Sequence, residues 1–380
     1  MYVARPVTSY RLLALGAGPG AVGLVAASFA LVPLFVAIPL GRFADRRGGP
    51  LLAVGGSLQA LACLLLAVGK TALALGVASA VLGLGHLALA LGVQEVIARE
   101  SDSERHDEHF GLLTAGVSLG QLIGPVLGGA LLGANADLSS TTIALLVAAC
   151  VAAGATWSAL LADRTRPALD AARVGSRQGS VRAILSTPGV AAGIFASVAV
   201  LSAADVFTAY MPVLGEERGI APSVIGVILG VRAAASIASR VGIRRLVEVV
   251  GRSRLIAVSA LAAAAAFAAL TTVSNVWIMG LLAVVVGFGL GFGQPLSMTI
   301  VVQLVPAHAR ATALAVRLTG NRLGQVAAPA AAGLLAGNGG TKPVFLLLTG
   351  SLGLSAAVMR RASRPPHTSV ERPTAARGER

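Results

Sequence analysis

The chain has 380 residues, of which 56% are hydrophobic and 12% are charged, and its formal net charge is +14. A soluble fold would need more polar surface than this composition supplies, so a soluble globular protein is excluded. The positive charge does not indicate nucleic-acid binding, because the basic residues lie in loops and in the tail, and aromatic residues make up only 4% of the chain. The composition predicts an all-α polytopic membrane protein.

Eleven apolar runs are long enough to be membrane-spanning helices, which need about 20 residues each. In chain order they lie at about 20–41, 50–69, 72–98, 110–133, 139–162, 189–213, 222–242, 255–272, 275–304, 311–336 and 343–360. The stretch before residue 20 is predicted to contain no further crossing, since the run from Arg11 to Leu40 is long enough for one helix but not for two.

The distribution of basic residues predicts the orientation. If the segment 42–48 is cytoplasmic, alternation of the spans places 21 of the 30 Lys and Arg residues inside. The predicted organisation is an N-terminal bundle at 1–162, a cytoplasmic linker at 163–188, a C-terminal bundle at 189–362 and a disordered basic cytoplasmic tail at 363–380. We expect a multi-pass protein of the plasma membrane with its C-terminus in the cytoplasm.

The two halves of the sequence repeat one another. Leu119-Gly120-Gln121 and Pro125 recur as Leu323-Gly324-Gln325 and Pro329, at an offset of 204 residues. Two parallel repeats of one bundle are therefore predicted. The second half has six spans and the first has five, so the chain is expected to lack the first helix of its first repeat, through truncation or a misplaced start.

Two glycine-containing patterns stand out. The first is a short predicted loop between the first two spans, with the residues Gly41, Arg42, Asp45, Arg46 and Gly48. Its carboxylate precedes a helix N-terminus, which favours negative charge, and its arginines can pair with that carboxylate or with facing carbonyl groups. We expect this loop to latch one conformation, although ordinary positive-inside anchoring would also explain the arginines.

The second pattern is Gly120, Gly124, Pro125, Gly128 and Gly129. Glycines four residues apart share one helix face and allow close helix approach, while the proline permits a bend. Together with the repeated Pro329, this pattern predicts a gating helix. Simple close packing, as in any glycine-rich membrane bundle, is the alternative.

Polar residues inside the spans are few and predict a cavity, because ionisable groups deep in a bilayer are costly unless paired or hydrated. Asp205 and Arg232 lie at similar depth on adjacent spans, which favours an ion pair between them. The full predicted cavity set is Asp205, Arg232, Arg322, His86, Gln121 and Gln294. The spans 50–69, 139–162, 255–272 and 343–360 have no ionisable residue in their interiors, as expected for helices that face lipid.

With the 41–48 loop and the 120–129 pattern, the chain resembles the major facilitator superfamily over about residues 10–360. The resemblance implies two six-helix bundles around a central site and alternating access, and the 120–129 pattern is similar to that of its drug/proton antiporters. It also implies a small-molecule substrate, a proton as coupling ion, a lipid bilayer as environment, a monomer and no cofactor. The chain departs from the antiporter pattern at Ser79, Ala80 and Val81, where the family has an arginine.

The sequence favours proton-coupled efflux of small amphipathic or hydrophobic compounds. Uptake of a small polar metabolite is an alternative, as is a truncated non-transporting relative that acts as a membrane sensor or assembly partner. An enzyme is not expected, because no paired carboxylates, metal-spaced histidines or activated nucleophile lie within a span.

Overall fold

A computed structural model of the chain describes residues 1–47, 50–100, 106–163, 181–306 and 309–362. These residues form fourteen α-helices. They are α1 (Ala4–Ala14), α2 (Pro19–Arg47), α3 (Pro50–Val68), α4 (Ala72–Glu100), α5 (His106–Leu132), α6 (Leu138–Asp163), α7 (Val181–Ser186), α8 (Val190–Glu217), α9 (Pro222–Val241), α10 (Ile243–Val250), α11 (Arg252–Leu270), α12 (Val276–Leu304), α13 (Arg310–Gly339) and α14 (Thr341–Ala362).

The predicted membrane helices agree closely with the observed ones. Within the described part of the chain, ten helices are long and apolar enough to cross a membrane. The eleventh predicted span corresponds to α13, which has 30 residues but includes three arginines, Arg310, Arg317 and Arg322. The all-α polytopic architecture is confirmed.

The helix α1 was not predicted. It has 11 residues and is therefore about 16 Å long, which is roughly half of a membrane crossing. It packs mainly against α8 and α6, so it lies between the two halves of the molecule. The first candidate span among the described residues begins at Pro19, so α1 is not a further crossing, and the absence of the first transmembrane helix of the first repeat stays a prediction.

The segment 41–47 was predicted as a loop, but it forms the last two turns of α2. Gly48, most of the predicted linker and the whole predicted tail lie outside the described residues. Within the predicted linker, residues 181–186 form the short helix α7, and residues 243–250, predicted as a connection, form α10, in which no residue is buried.

We call the two ends of the molecule the linker end and the distal end. The linker end is where α6 ends and α8 begins, and the distal end is where α8 ends and α9 begins. Because successive long helices alternate in direction, α2 runs from the distal end to the linker end, and α14 also ends at the linker end. Helices α1–α6 are called the first bundle and α8–α14 the second bundle.

The hydrophobic core shared by the two bundles includes Phe207, Phe267 and Phe345, whose rings pack with centroids 5.7–6.5 Å apart.

Candidate functional site

A cavity of about 170 Å³ lies between the two bundles, midway between the ends. Seven helices line it: α1, α2, α4 and α5 from the first bundle, and α8, α9 and α13 from the second. The helices α3, α6, α11 and α14, for which the sequence predicted no lining role, contribute none of its described lining residues. The polar side chains around it are Tyr2, Arg5, His86, Gln121, Asp205, Thr208, Arg232, Arg322 and Gln325.

An ion pair joins the bundles across this cavity. Arg5 Nη1 on α1 donates to Asp205 Oδ1 on α8 at 2.6 Å, and the two side chains are only 15% and 12% exposed. Asp205 Oδ2 accepts a second hydrogen bond, at 2.7 Å, from Nε2 of Gln325 on α13. Gln325 Oε1 in turn accepts from Arg322 Nη1 at 3.1 Å. Four side chains from α1, α8 and α13 thus form one network around a single carboxylate.

The predicted ion pair between Asp205 and Arg232 is not formed in this structure. Both residues line the cavity, but the Asp205 carboxylate accepts hydrogen bonds from Arg5 and Gln325 instead. Arg232 instead has a buried Nε with no hydrogen-bond partner among the described residues. The sequence could not reveal this exchange of partners, because it gave no reason to place Arg5 in a membrane-embedded helix.

His86 and Phe29 form the aromatic side of the cavity. Their ring centroids are 5.9 Å apart, and the Arg5 guanidinium carbon lies 4.8 Å from the centroid of the Phe29 ring. Such a cation–π contact stabilises the arginine where water is scarce.

Gln294 is the one predicted cavity residue that lies elsewhere. It belongs to a separate polar cluster nearer the linker end, where its Nε2 donates to the Ser197 carbonyl oxygen at 2.8 Å. Arg317 Nη2 donates to Gln294 Oε1 at 2.7 Å, and Ser197 Oγ donates to Asn321 Oδ1 at 2.9 Å. This cluster ties α8, α12 and α13 together within the second bundle.

The other end of α1 is anchored by Arg11, which is 4% exposed. Its guanidinium donates to the carbonyl oxygens of Gly69, at 3.2 Å, and of Ala67 at the end of α3. It also donates to Thr142 Oγ1, at 2.8 Å, at the start of α6. Neither arginine of α1 belongs to a predicted span, but Arg5 lies at the central cavity and Arg11 is buried among helix ends.

A second, larger cavity of about 420 Å³ adjoins the first and continues from α1 toward the linker end. We call it the apolar groove; it runs between α5 and α6 and has α3 and α4 at its back. Leu119, Ile123, Val151 and Ala155 are among its lining residues. Met1 and Tyr2 line both cavities, so these two residues, which precede α1, lie at the boundary between the two spaces.

The predicted glycine face of α5 receives α1. A Cβ atom built on Gly120 or Gly124 would lie 2.8 or 2.6 Å from side-chain atoms of Tyr2, and one on Gly128 would lie 3.2 Å from Val7. Ordinary contacts of a Cβ are 3.4–4 Å, so larger residues at the first two positions would displace α1. The glycines four residues apart on α5 therefore allow α1 and the residues just before it to pack closely against α5.

Gly129, the last residue of this pattern, contacts the other bundle instead. A Cβ on Gly129 would lie 2.7 Å from the Pro222 carbonyl oxygen, and one on Gly226 would lie 2.5 Å from the Pro125 carbonyl oxygen. The backbones of α5 and α9 therefore cross in contact near the distal end. The backbone N–H of Ser223 also donates to the Gly133 carbonyl oxygen at 3.2 Å across the same boundary.

The repeat produces a matching crossing between α13 and α2. A Cβ on Gly23 would lie 2.5 Å from the Gly333 Cα and would also meet the Pro329 carbonyl oxygen. Pro329 and Gly333 follow Pro125 and Gly129 by 204 residues, and Pro222 and Gly226 follow Pro19 and Gly23 by 203. The two bundles thus touch at the distal end through two glycine crossings related by the internal repeat.

The residues of the predicted latch have only a described backbone. Gly41, Arg42, Asp45 and Arg46 lie in the last turns of α2, with their side chains outside the described set, and Gly48 lies outside the described residues altogether. The latch stays a prediction.

Comparison with known proteins identifies the family. The family model described as Major Facilitator Superfamily matches residues 1–217 and 190–379. No curated protein sequence matches the chain significantly.

Solved structures of transporters share the fold. A variant of the nucleoside transporter NupG superposes with a TM-score of 0.77 at 15% identity, covering 96% of each chain. A bacterial homologue of the human lysosomal transporter Spinster, in an inward-facing and occupied conformation, gives 0.73 at 14% identity, covering 95% of this chain and 94% of the other. These likenesses concern the fold, while the family model covers the sequence itself. The chain belongs to the Major Facilitator Superfamily, and it is a transporter of small molecules rather than an enzyme.

Proposed function

We propose that the protein is a secondary active transporter that exports small amphipathic compounds across the plasma membrane by alternating access, as a monomer with a cytoplasmic C-terminus. The central observation is the cavity between the bundles, crossed by the Arg5–Asp205 ion pair. An ion pair that bridges two moving bodies can break and re-form as the bodies rock, which is the behaviour required of a coupling site.

The geometry supports a state that is closed at the distal end. Both glycine crossings and the Ser223–Gly133 hydrogen bond lie there. If the linker end is cytoplasmic, as the basic residues predict, this state faces the cytoplasm. A substrate would enter from that side, and separation of the two glycine crossings would release it on the other.

The proton is proposed as the coupling ion because Asp205 is the only carboxylate among the described residues that line the cavity. Protonation of Asp205 would remove the attraction that holds Arg5, and so would loosen one of the links between the bundles.

The test uses inside-out vesicles from cells that express the protein, with an imposed pH gradient and two fluorescent amphipathic probes, neutral Nile red and anionic anilinonaphthalene sulfonate. We expect accumulation of at least one probe, abolished by a protonophore and by Asp205→Asn. Glu248→Gln is the control, because the Arg244–Glu248 pair on α10 is exposed, with side-chain exposures of 93% and 63%. Accumulation that is equal in empty-vector vesicles would refute the proposal.

Uptake of a polar metabolite is the second candidate, because the cavity gathers more hydrogen-bonding groups than the sequence indicated, including Arg5 and Gln325. The same vesicles prepared right-side-out distinguish it, since an uptake transporter accumulates its substrate in that orientation under an inward proton gradient. A non-transporting relative would show no gradient-dependent movement in either orientation.

A further inference from the structure

The charges around the central cavity do not balance. Arg5, Arg232 and Arg322 line it with one carboxylate, Asp205, so these described groups carry a formal excess of two positive charges. Arg5 is neutralised by Asp205, and Arg322 is held by Gln325. Arg232 is left with a buried, unpartnered Nε.

A guanidinium without a carboxylate partner is expensive in the middle of a membrane protein, and a buried Nε without an acceptor adds to that cost. The cost is removed when an anion enters, because a carboxylate, sulfonate or phosphate supplies both the negative charge and the hydrogen-bond acceptors. The cavity is thus complementary in charge to an acidic group.

The apolar groove begins where this cationic cavity ends. The two spaces share Met1 and Tyr2, and consecutive residues of α5 divide between them: Gly120 and Gly124 face the groove, and Gln121 and Pro125 face the cavity. A ligand with its acidic group among the arginines would therefore place an apolar portion of its structure in the groove once Met1 and Tyr2, at the boundary, move aside.

We propose that the substrate is an amphipathic organic anion with a single apolar chain, whose acidic group is held by Arg232 and Arg322 and whose chain lies in the groove between α5 and α6. The inference rests on the transport function proposed above and names its substrate class. The groove is one slot of about 420 Å³, so a single chain is specified rather than a two-chain phospholipid.

The test measures binding rather than transport, so that it can fail independently of the proposed function. The protein, purified from its native host, is placed in phosphatidylcholine nanodiscs, and binding of radiolabelled 1-decanesulfonate is measured by equilibrium dialysis against empty nanodiscs. Decyltrimethylammonium and decanol serve as cationic and neutral probes of equal chain length. We expect saturable binding of the sulfonate at least tenfold tighter than that of either other probe.

Two variants separate the head from the chain. Arg232→Gln is expected to weaken decanesulfonate binding by about 10-fold to 100-fold, the usual range for losing a hydrogen bond to a charged group. Ala152→Trp fills the groove and should weaken decanesulfonate binding while leaving methanesulfonate, which has no chain, unaffected. Arg244→Gln, at an exposed arginine, is the control and should change nothing.

Several results would overturn the proposal. If the protein binds the three head groups with equal affinity, or prefers the cation, the substrate is not an organic anion, even if transport is observed. Displacement of the probe by phosphatidylglycerol at equal mole fraction would assign the site to a two-chain lipid instead. Absence of saturable sulfonate binding would overturn the proposal outright, whether or not transport is observed.

Discussion

The crossing of α5 and α9 allows a sharp prediction about conformational balance. In Gly226→Ala, the new Cβ would lie 2.5 Å from the Pro125 carbonyl oxygen and 3.0 Å from the Gly129 Cα, where ordinary contacts are 3.4–4 Å. Both neighbours are backbone atoms, so they cannot move aside as a flexible side chain would. The two helices must instead separate by about 1 Å, and overpacking of this kind costs about 1–3 kcal/mol.

This cost falls only on the state in which the distal end is closed, because the two helices are apart when that end opens. We therefore expect Gly226→Ala to shift the ratio of open to closed molecules by about 5-fold to 150-fold. Gly23→Ala should act in the same direction through the other crossing, and the double variant should approach the sum of the two free energies.

Pulsed electron paramagnetic resonance can measure the shift. Spin labels on Lys70→Cys and Lys342→Cys, which are exposed at the distal end of each bundle, would report their separation in a Cys63→Ala, Cys150→Ala background. The control is Gly280→Ala, because a Cβ on Gly280 would meet no atom within 4 Å. A distance distribution in Gly226→Ala and in Gly23→Ala that matches the control would refute the assignment of these crossings as the distal closure.

Three further predictions concern the network, the anchor of α1 and the loop before α6. Asp205→Asn should destabilise the protein by about 3–5 kcal/mol, because it leaves a buried arginine uncompensated, whereas Glu248→Gln should leave the melting temperature within error. Arg11→Met should lower stability by about 2 kcal/mol through loss of its charged hydrogen bonds, as seen in denaturant unfolding of the purified protein. The Asp137 carboxylate accepts the backbone N–H of Ser140 at 2.6 Å, which with hydrogen bonds from the neighbouring serines holds its pKa below the ordinary 3.8. Its stabilisation is therefore present at neutral pH and lost as the pH falls below about 4, so Asp137→Ala should weaken the pH dependence of the melting temperature in that range.

Most of the architecture could be predicted from the sequence because hydropathy over about 20 residues is a strong, local signal. The ends of α3 and α9, for example, were placed within a residue of their observed positions. The repeat also predicted that Pro329 corresponds to Pro125, and the structure shows both prolines at matching crossings.

The central site could be predicted only in part. Arg5, one of the two residues of its ion pair, lies in a segment whose local sequence does not indicate a helix inside the protein. The helix α1 has mixed polar and apolar residues, and its arginines are favourable only because Asp205 and the ends of α3 and α6 meet them in three dimensions. Gln325 was visible as a repeated residue, but nothing local indicated that its amide would contact Asp205. Five of the six predicted cavity residues nevertheless line one cavity, because depth in the membrane can be counted along a helix.

The charge of the substrate decides how proton coupling and the direction of transport are related. An anion that binds the cavity arginines competes with the Asp205 carboxylate for them, so protonation of Asp205 would strengthen anion binding, and by reciprocity the anion would strengthen proton binding. Proton and anion would then move together, which drives uptake under an inward proton gradient. Export of the same anion would instead be driven by a membrane potential that is negative inside, by about 2.3 kcal/mol per charge for each 100 mV. Movement of decanesulfonate in vesicles under an imposed pH gradient, compared with its movement under an imposed membrane potential, therefore discriminates between the two directions. Accumulation in right-side-out vesicles under an inward proton gradient would favour uptake and overturn the proposed export, whereas efflux driven only by the membrane potential would keep export and remove the proton as the coupling ion.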